Sequence, residues 1–421
     1  MKHTKLILLL AIVALPRWGA EAQTYDTNNV FVQAFAGYGI PGYVDGQGLL
    51  TEFSSPAQIV SDTASNLYVW DSGNFRIRKI TPDATVTTFA GGGTYLNGNG
   101  TNASLAWGTS GSMAIDHANT LWLVLMAGYG NVPYLVTIRT NAYVSIENGG
   151  LTNLGTSSGL CFDSANNLYY SGGHRIYRYN PNNGSVEAIA GTGTPGKFDG
   201  QGPIFSQFNS PTALACDQAD NVYVWDSGNG TIRRIDQSLN VTTVAGNGVS
   251  YYSSVDGVGT NAAFSGISSM FSDNAGNLYF VCGSCIRRMD AQTNVVTLAG
   301  SFNQWQTAYA DGPGYLARFY NATGGCLSQG MLFITDSGYN RIRNITFNPQ
   351  PQVVPPASLQ LNIYPGLRIT GTVGRTYQIQ TSPDMTTWTT RTTLLLTASP
   401  YLWMDQDAVN GHNFYRAVML P

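Results

Sequence analysis

Trp70-Asp71-Ser-Gly and Trp225-Asp226-Ser-Gly each set a carboxylate beside an indole ring at a turn, and Asp336-Ser-Gly repeats the acid. A hydrogen-bond acceptor beside a stacking surface is what a small-ligand or glycan rim needs. Each group also has an architectural use. The three acids can cap their turns or pair with Arg76, Arg341 or an arginine of a neighbouring repeat, a contact worth about 0–1 kcal/mol if exposed. The two indoles can wedge between repeats. A second acid-bearing set reads Asp45-Gly-Gln-Gly48, Asp199-Gly-Gln-Gly202, Asp256-Gly-Val-Gly259 and Asp311-Gly-Pro-Gly314, with Asn97-Gly-Asn-Gly100 as a variant. Such loops could hold calcium through carboxylate and carbonyl oxygens. With one acid per loop, turns at positive φ explain the glycines better, and no cofactor is expected. Histidine chemistry is thin. His117, His174 and His412 are too few and too scattered for a cluster, and no nucleophile motif accompanies His174.

The elements that position these groups repeat. In Asp199–Gly246, Thr212–Cys216 is a short apolar run, and Asp217–Asn221 is turn chemistry. Val222–Trp225 is β-branched and aromatic, Asp226–Asn229 turns the chain, and Thr231–Asp236 and Val241–Ala245 complete four strands. Tyr68, Trp122, Tyr169, Tyr223, Tyr279 and Phe333 mark the second strand of successive copies. The fourth strand ends in Ala-Gly at Gly37, Gly91, Gly191, Gly246 and Gly300. One such sheet cannot bury both faces alone, so copies must stack. The expected fold is an all-β, six-bladed propeller of four-stranded antiparallel blades. Val30–Ala36 resembles an orphan fourth strand, and the last copy, Ala322–Phe347, has only three. The N-terminal strand is therefore expected to complete the sixth blade and close the ring.

Antiparallel alternation puts the strand two-to-three turns and the long interblade loops on one face. Asp71, Asp226, Asp336 and the Asp-Gly-x-Gly loops are expected there, around the channel mouth, with Trp70, Trp225 and His174. Asp62, Asp116, Asp163, Asp217 and Asp273 fall on the other face. Leu105–Gly149 is degenerate, with a longer Met126–Tyr134 loop.

The 421 residues carry a net charge of −3, and no basic stripe offers a nucleic-acid footprint. Met1–Ala22 reads as a secretory signal, with Lys2 and Lys5, an apolar Leu6–Leu15 run too short to span a bilayer, and an Ala20-Glu-Ala22 cleavage signal. The expectation is a secreted, periplasmic or cell-surface monomer with no transmembrane segment. Five cysteines leave at least one unpaired. Cys282 and Cys285 can form a disulfide across a shortened hairpin, or stay reduced. Cys161, Cys216 and Cys326 belong to innermost strands, as small buried residues. Residues 23–347 form the propeller, 348–357 a Pro-rich linker, and 358–421 a small β-sandwich-like module. Tyr377, Trp388, Trp403, Phe414 and Tyr415 are expected to form the module's core.

The unit resembles the NHL repeat: Pro56, Asn66-Leu-Tyr-Val69, Asp71-Ser-Gly-Asn74, Arg76-Ile-Arg78, again at Pro211, Asn221-Val-Tyr-Val224, Asp226 and Ile232-Arg233, and at Asp336-Ser-Gly-Tyr-Asn340 and Arg341-Ile-Arg343. The resemblance spans Phe31–Phe347 and implies a six-bladed, TolB-like propeller, without implying one activity. The C-terminal stretch resembles a short module that ends many exported bacterial proteins, through Tyr377, Ile379, Ser382, Asp384, Trp388, Asp405 and Phe414-Tyr-Arg416. Two functions follow. The first is a non-catalytic module binding protein or glycan on the loop face. The alternative is a calcium- or zinc-dependent hydrolase or lyase using the central funnel, as in lyase and lactonase relatives of that fold.

Overall fold

The computed structural model describes residues 30–93, 98–105, 112–127, 132–147, 154, 159–248, 254–302, 309–347, 366–369, 372–397, 401–404 and 414–420. The signal sequence, the Pro-rich linker, Asn97, Asp405 and His412 lie outside them, as does the side chain of Trp403. No helix among the described residues is long and apolar enough to cross a membrane. The chain divides into two compact units, 1–350 and 351–421.

The larger unit is all-β. Its described strands form six antiparallel sheets of four or five strands. In the fourth sheet Pro211–Cys216, Val222–Asp226, Thr231–Ile235 and Asn240–Ala245 pair in sequence order, as Asp217, Asp226 and Asp236 turns dictate. Asp217 accepts the amides of Ala219 (2.9 Å) and Asn221 (2.8 Å), an Asx turn that fixes the first hairpin. Asp62, Asp163 and Asp273 do the same and also hold Tyr68, Tyr169 and Tyr279 by their hydroxyls.

The closing Ala-Gly has a steric cause. At Gly246 φ is +98°, and a Cβ there would stand 2.5 Å from the Gly230 carbonyl oxygen. Gly37, Gly91, Gly191 and Gly300 meet the same wall, so only glycine lets the outer strand leave its sheet.

Val30–Ala36 pairs with Arg341–Phe347, from Val30↔Phe347 to Ala36↔Ile342, supplying the strand the last copy lacks. Consecutive sheets are stitched around a circle. Bonds run from Asn119 Nδ2 to Thr63 Oγ1, from the His117 amide to Asn166 and from Ser164 Oγ to Asp220. They continue from Ser272 Oγ to the Cys216 carbonyl, from Ser268 Oγ to that of Ala322, and from Ser61 Oγ to that of Leu327. The last of these joins the final sheet to the first. The inner strands of all six line a central channel of ≈ 310 Å³.

Apolar residues of neighbouring sheets interdigitate between them. Trp70 packs with Leu105, Met113 and Leu123, and Trp225 with Phe264 and Phe280. Burying a large side chain of this kind stabilises by roughly 1.5–3 kcal/mol. In the degenerate second sheet the expected Met126–Tyr134 loop is mostly strand: Leu121–Ala127 pairs with Val132–Ile138, Met126 opposite Pro133.

The smaller unit has a three-stranded sheet of Thr376–Ser382 between Thr389–Leu395 and Phe414–Met419, and a pair, Gly366–Ile369 with Tyr401–Met404. Its core is Ile369, Tyr377, Ile379 and Leu396, with Leu394 and Tyr415 against it. Phe414 and Trp388 fall outside that core: Phe414 is exposed, and Trp388 lies half-buried under the Arg416 guanidinium, 4.3 Å from its centroid.

Candidate functional site

The expected face exists. The Gly73 and Gly228 amides in the strand two-to-three turns bond the Ser54 and Asn209 carbonyls of the intersheet loops at 2.8 Å. The acids on it, however, are built into the sheets.

Asp71, Asp226 and Asp336 have no exposed surface. Each accepts from a third-strand arginine seven residues on: Arg78 Nη1 at 3.0 Å, Arg233 Nη1 at 2.8 Å and Arg343 Nη1 at 2.9 Å. The other Nη of the same guanidinium reaches the loop carboxylate: Asp45 at 2.7 Å, Asp199 at 2.6 Å and Asp311 at 2.7 Å. Remaining N–H groups bond loop carbonyls, those of Glu52 and Val44 for Arg78 and of Gln207 and Phe198 for Arg233. A phenyl ring lies under each guanidinium, Phe53 and Phe208 at 5.0 Å and Phe319 at 4.6 Å. One buried arginine therefore joins the second-strand turn to the loop at the sheet's outer edge.

The acids feel this burial. Desolvation raises Asp71 and Asp226 and pushes Asp336 up to about 6, against the lowering pull of their hydrogen bonds and arginines. The partners are Arg78 and Arg343, not Arg76 and Arg341. Arg76 and Arg341 share that face two residues earlier, but their guanidinium groups lie over the Tyr43 and Tyr309 rings, at 4.4 Å and 4.3 Å.

The Asp-Gly-x-Gly segments do not surround the channel mouth. Gly46–Gln47 and Gly200–Gln201 pair with the outermost strands and cover their edges. Nor do they fit calcium. In Asp45, Asp199 and Asp256 one carboxylate oxygen takes the guanidinium and a threonine hydroxyl, and the other takes that threonine's amide. Asp311 is held by Arg343, the Ala34 amide and the Tyr309 hydroxyl. No group of three or more His, Cys, Asp or Glu gathers among the described residues.

The other expected rim residues are equally engaged. Trp70 and Trp225 are buried between sheets. His174 is half-buried, and its Nδ1 accepts the Ser210 amide at 3.1 Å, the position where Asn340 accepts the Ser55 amide. Cys282, Cys285, Cys161, Cys216 and Cys326 are all free thiols. Burial pushes the Cys216 and Cys326 thiols up, Cys216 further through its neighbour Cys161.

Among the described residues, two open regions bear on the function. The channel's described lining consists of apolar groups, cysteines, Gln58 and serines including Ser61, Ser112, Ser269 and Ser272, with no charged side chain or imidazole. On the loop face lies a concavity of ≈ 600 Å³ formed by Lys197, Phe198, Asp199, Thr243, Gly246, Asn247 and Thr260. Phe198 is 71% exposed there, Phe205 is exposed in the same loop, and Tyr38, Tyr43, Tyr315 and Tyr320 are exposed in equivalent ones. The signal overlooked in the sequence is an aromatic one or two residues ahead of the loop acid, as in Tyr43-Val-Asp45 and Phe198-Asp199.

No family model matches the chain. It is 26% identical over 204 residues to the protein Suppressor of Quenching 1, chloroplastic, of Arabidopsis thaliana, a match covering 45% of this chain and 19% of that protein. A structural genomics protein of unknown function from Bacteroides thetaiotaomicron superposes with a TM-score of 0.59 and 19% identity, over 75% of this chain and 76% of that one. An auxiliary nutrient binding protein from Bacteroides ovatus does so with a TM-score of 0.57 and 17% identity, over 76% and 77%. At these identities the likeness is one of fold: the chain is similar to β-propeller-like proteins.

Proposed function

We propose that this chain is an exported six-bladed propeller of the NHL type, followed by a small β module, that acts as a non-catalytic binding module for a glycan or protein ligand on its loop face. The observation that carries the reading is the division of labour on that face. Its carboxylates are consumed by buried arginines, while Phe198 stays in solvent at a concavity and its counterparts stay exposed in other loops. Exposed rings beside hydroxyl, amide and ammonium groups suit stacking against a sugar or packing against an apolar side chain. That proteins of similar fold include an auxiliary nutrient binding protein is in keeping with this reading without deciding it.

The alternative, a metal-dependent hydrolase or lyase in the funnel, asks for carboxylates or imidazoles that the described channel lining does not offer.

The test is a glycan and peptide array probed with the chain lacking residues 1–22, beside Phe198→Ser and Tyr43→Ser variants. Binding that falls at least tenfold in the variants, with unchanged melting temperature, supports the reading. No binding to either array, together with a stabilising shift from calcium or zinc that EDTA reverses, would replace it with the hydrolase reading.

A further inference from the structure

The fifth sheet breaks the acid pattern at one position. Its third-strand arginine, Arg287, is buried like the others, lies over Phe264 at 4.7 Å and pairs with the loop acid Asp256 at 2.9 Å. Its Nη1 and Nη2 bond the Ala263 and Val255 carbonyls. The carboxylate that the first, fourth and sixth sheets aim at this guanidinium from the turn is missing. Val281 and Ile286 pair as Trp225 and Ile232 do, so the residue in Asp226's place is Cys282.

The turn itself is shortened to Gly283-Ser284, and its other end is Cys285. The Cys282 amide donates to the Cys285 carbonyl at 2.9 Å, which sets the two residues opposite each other. Directly opposed strand residues have Cβ atoms about 4.5–5.5 Å apart, against roughly 3.5–4.5 Å in a disulfide, so closure needs only a small movement. Gly283, at φ +70°, has nothing within 4 Å of where a Cβ would stand, which leaves room for that movement.

We propose that Cys282 and Cys285 form a reversible dithiol–disulfide pair that exchanges with an external disulfide, with Cys282 as the attacking thiol and Cys285 as the resolving one. The asymmetry fits. Cys282 is 8% exposed at the loop face and Cys285 is fully buried. The Cys285 hydrogen bond and then the Arg287 charge hold the Cys282 thiol below its ordinary range, while burial pushes Cys285 well above it.

In the forward direction the Cys282 thiolate attacks one sulfur of the external disulfide, forming a mixed disulfide and releasing one thiolate. Cys285 gives its proton to that thiolate and attacks the Cys282 sulfur, expelling the second thiolate, which takes the proton first lost by Cys282. The pair gives up two electrons and two protons, and the external disulfide becomes two thiols. The turn is also a junction, because the Ala322 amide of the sixth sheet bonds the Gly283 carbonyl at 2.7 Å. The oxidation state is therefore felt between two sheets on the loop face.

The test equilibrates the full mature chain in glutathione buffers from fully reducing to fully oxidising, quenches it in acid, and labels free thiols after denaturation for peptide mapping. The expected result is a peptide spanning 282–285 that becomes two hydrogens lighter and unlabelled as the buffer turns oxidising, recovered by dithiothreitol. Cys161, Cys216 and Cys326 stay labelled throughout. Cys285→Ser should trap a glutathione adduct on Cys282. Cys282→Asp, which restores the acid of the first, fourth and sixth sheets, should fold and leave no adduct. Full labelling of both residues in every buffer overturns the proposal, as does oxidation that maps to Cys161 and Cys216.

Discussion

The fourth and fifth sheets share strand order, a buried arginine and the phenyl ring beneath it, and differ at the turn. Arg233 is held by carboxylates on two sides, Asp226 and Asp199; Arg287 is held by Asp256 alone, with Cys282 where the second acid would be. The second and third sheets go further. At the arginine's register they carry Val136 and a Tyr177 ring stacked 5.0 Å from Tyr170. The fold therefore needs the space filled and the loop anchored, and can do either with or without charge. A buried ion network is one solution among several, consistent with the modest net worth of such pairs against apolar replacements.

The most drastic challenge to this comparison removes the ring's closure while leaving every arginine–acid pair in place. Deleting Gln23–Ala36 takes Val30–Ala36 from the sixth sheet and exposes the edge of Arg341–Phe347. Thermal unfolding should lose its cooperative transition, whereas deletion of 358–421 should leave the larger unit's transition nearly in place. A deletion that melts like the parent would show that the sheets stand independently.

A sharper contrast comes from Arg233→Ala beside Arg287→Ala. The first leaves Asp226 buried without its cation and should cost about 3–5 kcal/mol in urea unfolding. The second strands only Asp256 and should cost clearly less. Equal losses would mean that the turn acid plays no part in the difference.

The smallest effect is one of pH. Burial raises Asp336 to about 6, above its unfolded value of about 3.9. The folded state thus holds this proton more tightly. The stability so contributed is present below about pH 4 and is lost as pH rises through about 6. The change is on the order of 2–3 kcal/mol. Urea midpoints measured across that window should decline, and Asp336→Asn should flatten the decline.

Much of this architecture was legible in the chain. Period, turn acids and the Ala-Gly ending follow from local rules, and the sequence pattern also places the orphan first strand beside Arg341–Phe347. What stayed hidden was depth. Asp226 and Asp199 look alike as turn acids, yet one is sealed and the other half-exposed, with side-chain exposures of 0% and 47%. The constant seven-residue interval from turn acid to arginine was there to be read, but strand alternation had to be applied to choose Arg233 over its neighbour Arg234. The exposed aromatics were missed because a lone ring in a glycine-rich loop carries no periodicity.

The pairing of Val30 with Phe347 also has a consequence in time. On the ribosome, and again during any passage across a membrane with its N-terminus leading, the segment made first has its partner more than three hundred residues behind it. Until that partner arrives, an apolar β edge waits unpaired, exposed to any other strand it meets. The two ends of the repeat cannot join until its last copy is made, so conditions that slow the chain's completion should favour aggregation through its beginning.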